Sequence, residues 1–265
     1  MGSAHPGVLI RRSDDAPYVA ELVLDRPEAL NAISTAQAQS ITAATAEVAA
    51  DPVVRAVVLS SSVEKAFCVG ADLKERNTLT DDELRQQRSI TRVAYTSVLE
   101  LPMPVVAAVH GYALGGGCEL ALACDLIVAD ESAVFGLPEV SVGVIPGGGG
   151  TQLLGRRLGW GRAADLIFTA RHVDAAEAYR LGLADRLVPA GSARDEAIEL
   201  ASTIAHHSPV GVRNAKQAMR LGLDVPLRAG LEIEDARWRA TAFSGDRHEG
   251  IAAFNEKRTP DWPGE

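Results

Sequence analysis

Residues 111–125, GYALGGGCELALACD, decide how this chain is read. They follow residues 105–109, VVAAV, a continuous apolar run short enough to be a strand buried on both faces, with Pro104 tolerable at its start. After that strand the chain must turn. Gly115, Gly116 and Gly117 supply a backbone that reaches positive φ and lets a ligand come close to the amides, since no Cβ stands in the way. Residues 118–123 are good helix formers, so the free N–H groups of Gly116 and Gly117 fall at a helix N-terminus, where developing negative charge is attracted. Glu119 then lies in the first helical turn, followed by the apolar residues Leu120, Ala121, Leu122 and Ala123. A carboxylate in such a place is costly unless it is paired or used. It either complements the helix dipole or does chemistry.

Two further stretches have the same construction. Residues 53–60, VVRAVVLS, read as a strand running into residues 67–74, FCVGADLK, where Gly70-Ala71-Asp72 makes a second tight turn. The amide of Ala71 can then face that of Gly116, 116 − 71 = 45 residues later. Residues 135–150, FGLPEVSVGVIPGGGG, present a second carboxylate, Glu139, in the turn Leu137-Pro138-Glu139 and then a run of four glycines. That run invites a phosphate-loop reading, but no lysine follows it and the pattern GxxxxGK[ST] is absent. Neither GxSxG nor HExxH occurs, so the common hydrolase and zinc-protease motifs are missing as well.

In chain order, residues 18–24 read as a strand, 25–27 as a turn and 35–50 as a helix ended by Asp51-Pro52. Residues 79–99 carry charge on one face and apolar residues at helical spacing, a loop followed by a helix. Residues 126–129, 133–135 and 184–188 read as short strands; 161–169 and 174–180 as amphipathic helices. From residue 192 onward every segment is helical in pattern: 193–206, 209–221, 226–241 and 247–257. A tail without strands cannot join the sheet layers and must lie on another surface, of this subunit or a neighbour. The chain therefore divides into a core over residues 1–190 and a helical region over 191–265.

At 265 residues with 47% hydrophobic content the chain has ample core. No apolar run approaches the roughly 20 residues that span a bilayer, and no signal-peptide pattern opens the sequence, so the expected location is the cytoplasm. Three cysteines, Cys68, Cys118 and Cys124, sit in apolar or glycine-rich stretches without metal-ligand spacing and read as small buried hydrophobes. The net charge of −9 argues against a nucleic-acid surface. Of the 26 basic residues only four are lysines, and Lys65 and Lys74 bracket FCVGAD. Two ammonium groups around a glycine turn suit an anionic ligand, or else a solvated loop.

FCVGADLKE, GYALGGGCELALACD, FGLPEVSVGVIPGGGGTQ, AAEAYRLGLADRLVP and the C-terminal EGIAAFNEKRTPDWPGE, taken together and in order, resemble the enoyl-CoA hydratase/isomerase (crotonase) superfamily. The resemblance implies an α/β fold, a spiral of β-β-α turns related to that of ClpP, with a helical C-terminal region that builds trimers, usually paired into hexamers. It implies an acyl-CoA thioester whose carbonyl oxygen lies between two backbone amides, which fall on Ala71 and Gly116. The family's hydratases use two glutamates, which map onto Glu119 and Glu139. Relatives with isomerase and other activities commonly change one or both acids, so the pair favours hydration of a trans-2-enoyl-CoA, with Glu139 as proton donor to Cα and Glu119 as activator of water. A Δ3,Δ2-enoyl-CoA isomerase using Glu139 alone is the alternative within the fold. By the same resemblance Glu28, Ala29, Leu30, Asp72, Leu73 and Lys74 line the coenzyme A path, and Phe254 and Lys257 approach its adenine end from this or a neighbouring subunit; helix packing is the other reading of Phe254. No metal and no redox cofactor is implied, coenzyme A being part of the substrate, and no membrane partner.

FCVGADLKER, ELALACD and IPGGGGTQ look especially like the methylglutaconyl-CoA hydratase that also binds AU-rich RNA. Its RNA-binding helix is lysine-rich, whereas residues 35–50 here contain neither lysine nor arginine, so RNA binding, and with it a non-catalytic RNA-associated role, lacks its electrostatic footing. Acyl preference is expected to depend on residues 78–95 and 140–142.

Overall fold

Short strands alternating with helices wind this chain into a spiral, and the computed structural model describes it over residues 4–265. Strands β1 (Ala4–His5), β2 (Val8–Ser13) and β3 (Ala16–Leu24) open it as an antiparallel meander. Helix α1 (Thr35–Ala50) follows, capped by the Ser34 side chain. Three turns of the spiral come next, each laying down two strands and then helix. The first is β4 (Ala56–Ser61), β5 (Ala66–Cys68), α2 (Leu73–Arg76) and α3 (Asp81–Leu99); the second is β6 (Val105–Val109), β7 (Tyr112–Leu114) and α4 (Gly116–Ala123); the third is β8 (Leu126–Asp130), β9 (Val134–Gly136), α5 (Gly150–Leu158) and α6 (Trp160–Thr169). Strand β10 (Val173–Asp174), α7 (Ala175–Leu181) and β11 (Arg186–Val188) close it.

The first strand of each turn joins a seven-stranded sheet in the order β1-β2-β3-β4-β6-β8-β11, and the second joins a four-stranded sheet, β10-β9-β7-β5. Neighbouring turns pair in parallel, with Leu59 opposite Ala107 and Ala107 opposite Ile127. The fold class expected from the resemblance is the one found. The apolar runs are continuous because the large sheet is covered on both faces. Val57, Leu59, Val105, Ala107, Val109 and Ile127 face the main core, while the alternate residues Val58, Val106, Ala108 and Val128 face a second cluster.

That second cluster is completed by α8 (Ala193–Ala205), which sets Ala193, Ala197, Ala201 and Ala205 against the sheet at every fourth position. Alanine on this stripe lets the helix lie close to the strands. Glu21, buried in β3, accepts from Ser60 Oγ at 2.7 Å and from Arg194 Nε and Nη2 at 2.7 and 2.8 Å, tying helix to sheet. Burial opposes the charge of Glu21, but its bonds to Arg194 and Ser60 outweigh that and hold its carboxyl below the ordinary value. The helical tail thus begins as a layer of this subunit, then continues through α9 (Pro209–Gly222), α10 (Leu227–Ala242) and α11 (Gly245–Glu256).

Other boundaries differ locally from the sequence reading. β4 starts at Ala56, not residue 53, because Asp51 holds a turn: its Oδ1 accepts from Val53 N and its carbonyl from Val54 N. The N-terminal hairpin, the three-residue β5 and β7, and the single-turn α2 were not foreseen. Helix α3 begins at Asp81 behind a Thr80–Glu83 capping box. No helix among the described residues is long and apolar enough to cross a membrane.

The tail is anchored at Asp125, whose Oδ2 accepts from Val105 N at 2.8 Å and from Lys216 Nζ at 2.7 Å while Oδ1 accepts from Arg220 Nη2 at 2.8 Å. Lys216 is nearly buried, and breaking such a pair by removing one partner leaves an uncompensated charge. Asp125→Ala is expected to lower unfolding free energy by about 3 kcal/mol, measured by urea denaturation.

Candidate active site

The Val69–Asp72 turn and the Gly115–Gly117 turn meet because β5 and β7 are parallel neighbours. The contact is too close for side chains. A Cβ on Gly117 would stand 1.9 Å from the Cys68 carbonyl oxygen, and one on Gly70, whose φ is +91°, would stand 3.0 Å from the Gly116 nitrogen. Ala71 bridges to Ile33: Ile33 N donates to Gly70 O at 2.7 Å and Asp72 N to Ile33 O at 3.1 Å. In that parallel pattern the N–H of Ala71 itself points away from Ile33. Asn31, fully buried with φ +58°, steadies the turn from behind, its Nδ2 donating to Phe67 O at 2.9 Å and Ser61 Oγ at 2.8 Å.

Helix α4 is buried along its whole length and carries Glu119, 2% exposed. Glu119 Oε1 accepts from Gly148 N at 2.6 Å and from Gly150 N at 2.8 Å. The four-glycine run therefore holds a carboxylate of its own chain, not a phosphate. Glycine is required there, since a Cβ on Gly148 would come within 2.8 Å of both Glu119 Oε2 and the Tyr95 ring. Burial pushes the Glu119 carboxyl above its ordinary value, and the two amides and Arg88 offset this without reversing it.

Glu139 sits on a 3₁₀ turn, Pro138–Val142, between β9 and α5. Its Oε2 is buried without a hydrogen-bond partner among the described residues. Burial, reinforced by the charge of Glu119 and opposed by its own backbone N–H and by Arg76, raises its carboxyl to about 7. Tyr95 on α3 completes the wall: its hydroxyl lies where a Cβ on Gly116 would stand only 2.2 Å away.

Ala71, Gly116, Glu119 and Glu139 line one cavity of about 1140 Å³, together with Leu73. Other residues expected along the coenzyme A path are placed differently. Asp72 is 7% exposed and spent on structure, capping α2 through Lys74 N and Glu75 N and pairing with Arg26 Nη1 at 2.7 Å. Glu28 and Ala29 lie on the 3₁₀ turn Pro27–Ala29, and Leu30 accepts from Val69 N, so this loop flanks the cavity without lining it. Lys74 is exposed beside it. Phe254, 83% exposed on α11, is not core packing; it lines a separate pocket of about 530 Å³ with Trp238 and Trp262. Lys257 caps α11 in the left-handed region, outside the cavity lining. Tyr95, Arg76, Gln87 and the amides of Gly148 and Gly150 were missed by sequence reasoning. Only the glycine run carries a signal: the missing lysine rules against a phosphate loop, but nothing local names Glu119 as the acceptor of its amides.

A spiral α/β fold with a buried acid on the helix after a glycine turn, a second acid across the cavity and two facing turns defines the class. The chain belongs to the enoyl-CoA hydratase/isomerase family, whose profile matches residues 15–265. The crystal structure of an enoyl-CoA hydratase from Bacillus anthracis superposes with a TM-score of 0.94 at 41% identity, covering 98% of this chain and 100% of that one. "Probable enoyl-CoA hydratase 2, mitochondrial" of Arabidopsis thaliana is 41% identical over 97% of this chain and 85% of its own length. "Enoyl-CoA hydratase domain-containing protein 2, mitochondrial" of Mus musculus is 40% identical over 93% of this chain and 84% of its own.

Because the folded protein holds the Glu139 proton more tightly than the unfolded chain, the folded state binds more protons as pH rises from 4.5 to about 7. Glu139 therefore contributes a decline in stability across that window. Glu139→Gln should remove this contribution, so that the variant gains on the parent as pH rises; paired denaturation curves at pH 4.5 and 7.5 check it.

Proposed function

We propose that this protein hydrates trans-2-enoyl-CoA thioesters to 3-hydroxyacyl-CoA, and the observation that supports this most is that Glu119 and Glu139 line the same cavity as Ala71 and Gly116. The thioester oxygen accepts from the two amides. As water attacks Cβ, the π electrons move toward that oxygen, and preorganised N–H donors stabilise the enolate; losing one such donor typically costs about 10²- to 10³-fold in rate. Water oxygen bonds to Cβ and its proton passes to Glu119; Glu139 gives its proton to Cα; transfer from Glu119 to Glu139 restores the starting state.

The two environments suit these roles. Glu119 has Oε1 pinned by two amides, which favours its anion and leaves Oε2 for water. Glu139, raised to about 7 by burial and with Oε2 unpartnered, keeps a proton available near neutrality. Among the described residues no group of three or more His, Cys, Asp or Glu is arranged to hold a metal, and no step above calls on one. The chain assembles as a homotrimer or a dimer of trimers in this reading. The exposed Trp238, Phe243, Leu227 and Phe254 of α10, α11 and their junction are the apolar surface that supports assembly, and light scattering reads it.

Glu119→Gln and Glu139→Gln should each lower kcat with crotonyl-CoA by about 10²- to 10⁴-fold. Near-normal turnover in either removes that residue's role. If the reaction is instead isomerisation by Glu139 alone, Glu119→Gln will retain activity on a 3-enoyl-CoA. In the parent enzyme kcat/KM should fall as pH rises through about 7, where Glu139 loses its proton, and Glu139→Gln should abolish that limb.

A further inference from the structure

Arg88 reaches Glu119 through the backbone. It lies on α3, in the wall of the cavity that holds both glutamates, and its Nη2 donates to Gly147 O at 2.6 Å. The same peptide unit carries Gly148 N, which donates to Glu119 Oε1 at 2.6 Å. A trans peptide points its C=O and N–H in opposite directions, so Arg88 and Glu119 grip the two ends of one rigid plane. Among the described residues no other cavity arginine bonds to this loop: Arg76 Nε donates to Gln87 Oε1 at 3.2 Å, Arg85 pairs with Asp82, and the Arg92 side chain has no hydrogen-bond or ion-pair partner.

That plane needs a grip. It joins Gly147 to Gly148, and Gly149 follows at φ +117°, so no Cβ resists its rotation. Turned over, it would withdraw Gly148 N from Glu119 and set a carbonyl against the carboxylate. Gly150 N, the other donor to Glu119 Oε1, is held by the first turn of α5, which Gln152 N and Leu153 N close on Gly149 O. The Gly148 donor has no such helix around it and is held from the carbonyl end by Arg88. A donor on a carbonyl also polarises the amide and strengthens its N–H. The other groups facing Glu119 give no such help: Glu139 on its 3₁₀ turn repels the charge, while Tyr95 on α3 and Cys118 on α4 are pushed up by burial and stay neutral. On α5, Arg156 and Arg157 are paired with Asp224 and Asp185, and Arg76 acts on Glu139.

We propose that Arg88 is a positioning residue for the hydration step: by locking the Gly147–Gly148 peptide with its carbonyl toward α3, it keeps the Gly148 amide on Glu119 Oε1 and leaves Oε2 aimed at water as the anion. It acts through the loop and needs no contact with substrate. Its kinetic consequence rests on the hydratase reading of the same site; its effect on the Glu119 carboxyl does not.

Arg88→Met should lower kcat with crotonyl-CoA about 10-fold at nearly unchanged KM, and should move the acid limb of kcat/KM, where Glu119 takes up its proton, higher by about 0.5 to 1 pH unit. Arg88 is exposed in the open cavity, so solvent replaces part of what is lost and the effect stays of that size. Arg88→Lys should restore most of both. Infrared titration of the Glu119 carboxyl, assigned by its absence in Glu119→Gln, should show the same upward shift in Arg88→Met with no substrate present, so the proposal stands or falls apart from the hydratase reading. Arg92→Met removes an equal charge one helical turn further along α3 and should leave that titration at the parent's position. A Glu119 titration unmoved in Arg88→Met, or moved as far in Arg92→Met, overturns the proposal.

Discussion

Everything at this site depends on two backbone turns being pressed together. The carbonyl of Cys68 occupies the space where a side chain on residue 117 would be, and Gly70 packs on the nitrogen of Gly116. Parallel pairing of β5 with β7 brings the turns side by side, and the start of α4 directs the Gly116 amide outward from the second of them. Because each strand is anchored to its neighbour by main-chain bonds, the position of the two amides is set by the spiral itself, not by flexible side chains. That is the arrangement an anionic transition state needs, since donors already in place cost no reorganisation.

The two acids are supported in opposite ways. Glu119 lies on a helix with no exposed residue and would be intolerable there without the amides of Gly148 and Gly150, which come from the next turn of the spiral. Glu139 has no such support for its Oε2 and answers burial by holding its proton. One chain thus keeps two carboxyls in one cavity with different proton affinities, and the difference comes from who donates to them. The same cavity collects arginines in a protein of net charge −9, so its local field is unlike that of the molecule as a whole.

Away from the cavity, a buried and a half-buried carboxylate carry connections between layers. Asp125 joins β6 and α4 to α9, and Glu21 joins β3 and β4 to α8. The Glu21 bonds to Arg194 confer direction on a contact that the smooth alanine stripe of α8 would leave free to slide.

The long strands were legible because β4, β6 and β8 are covered on both faces and read as unbroken apolar runs; the helices were legible from their period and caps. Ala71, Gly116, Glu119 and Glu139 could be singled out because glycine turns and a carboxylate among apolar residues are unusual enough to stand out locally. Three-residue strands such as β5 and β7 are too short to show a period, and the one-turn α2 has none, so the element that carries Arg76 was invisible. Partners far apart in sequence were invisible too: Glu119 is 29 residues from Gly148, and Arg76 is 11 from Gln87. By itself, then, the sequence determined the layers, the turns and the residue types able to do chemistry, since these follow from local period and backbone freedom. Only the tertiary structure decided that the glycine run serves a carboxylate and that Asp72 is spent on a cap and an ion pair, because hydrogen-bond satisfaction is settled by which groups the fold brings together.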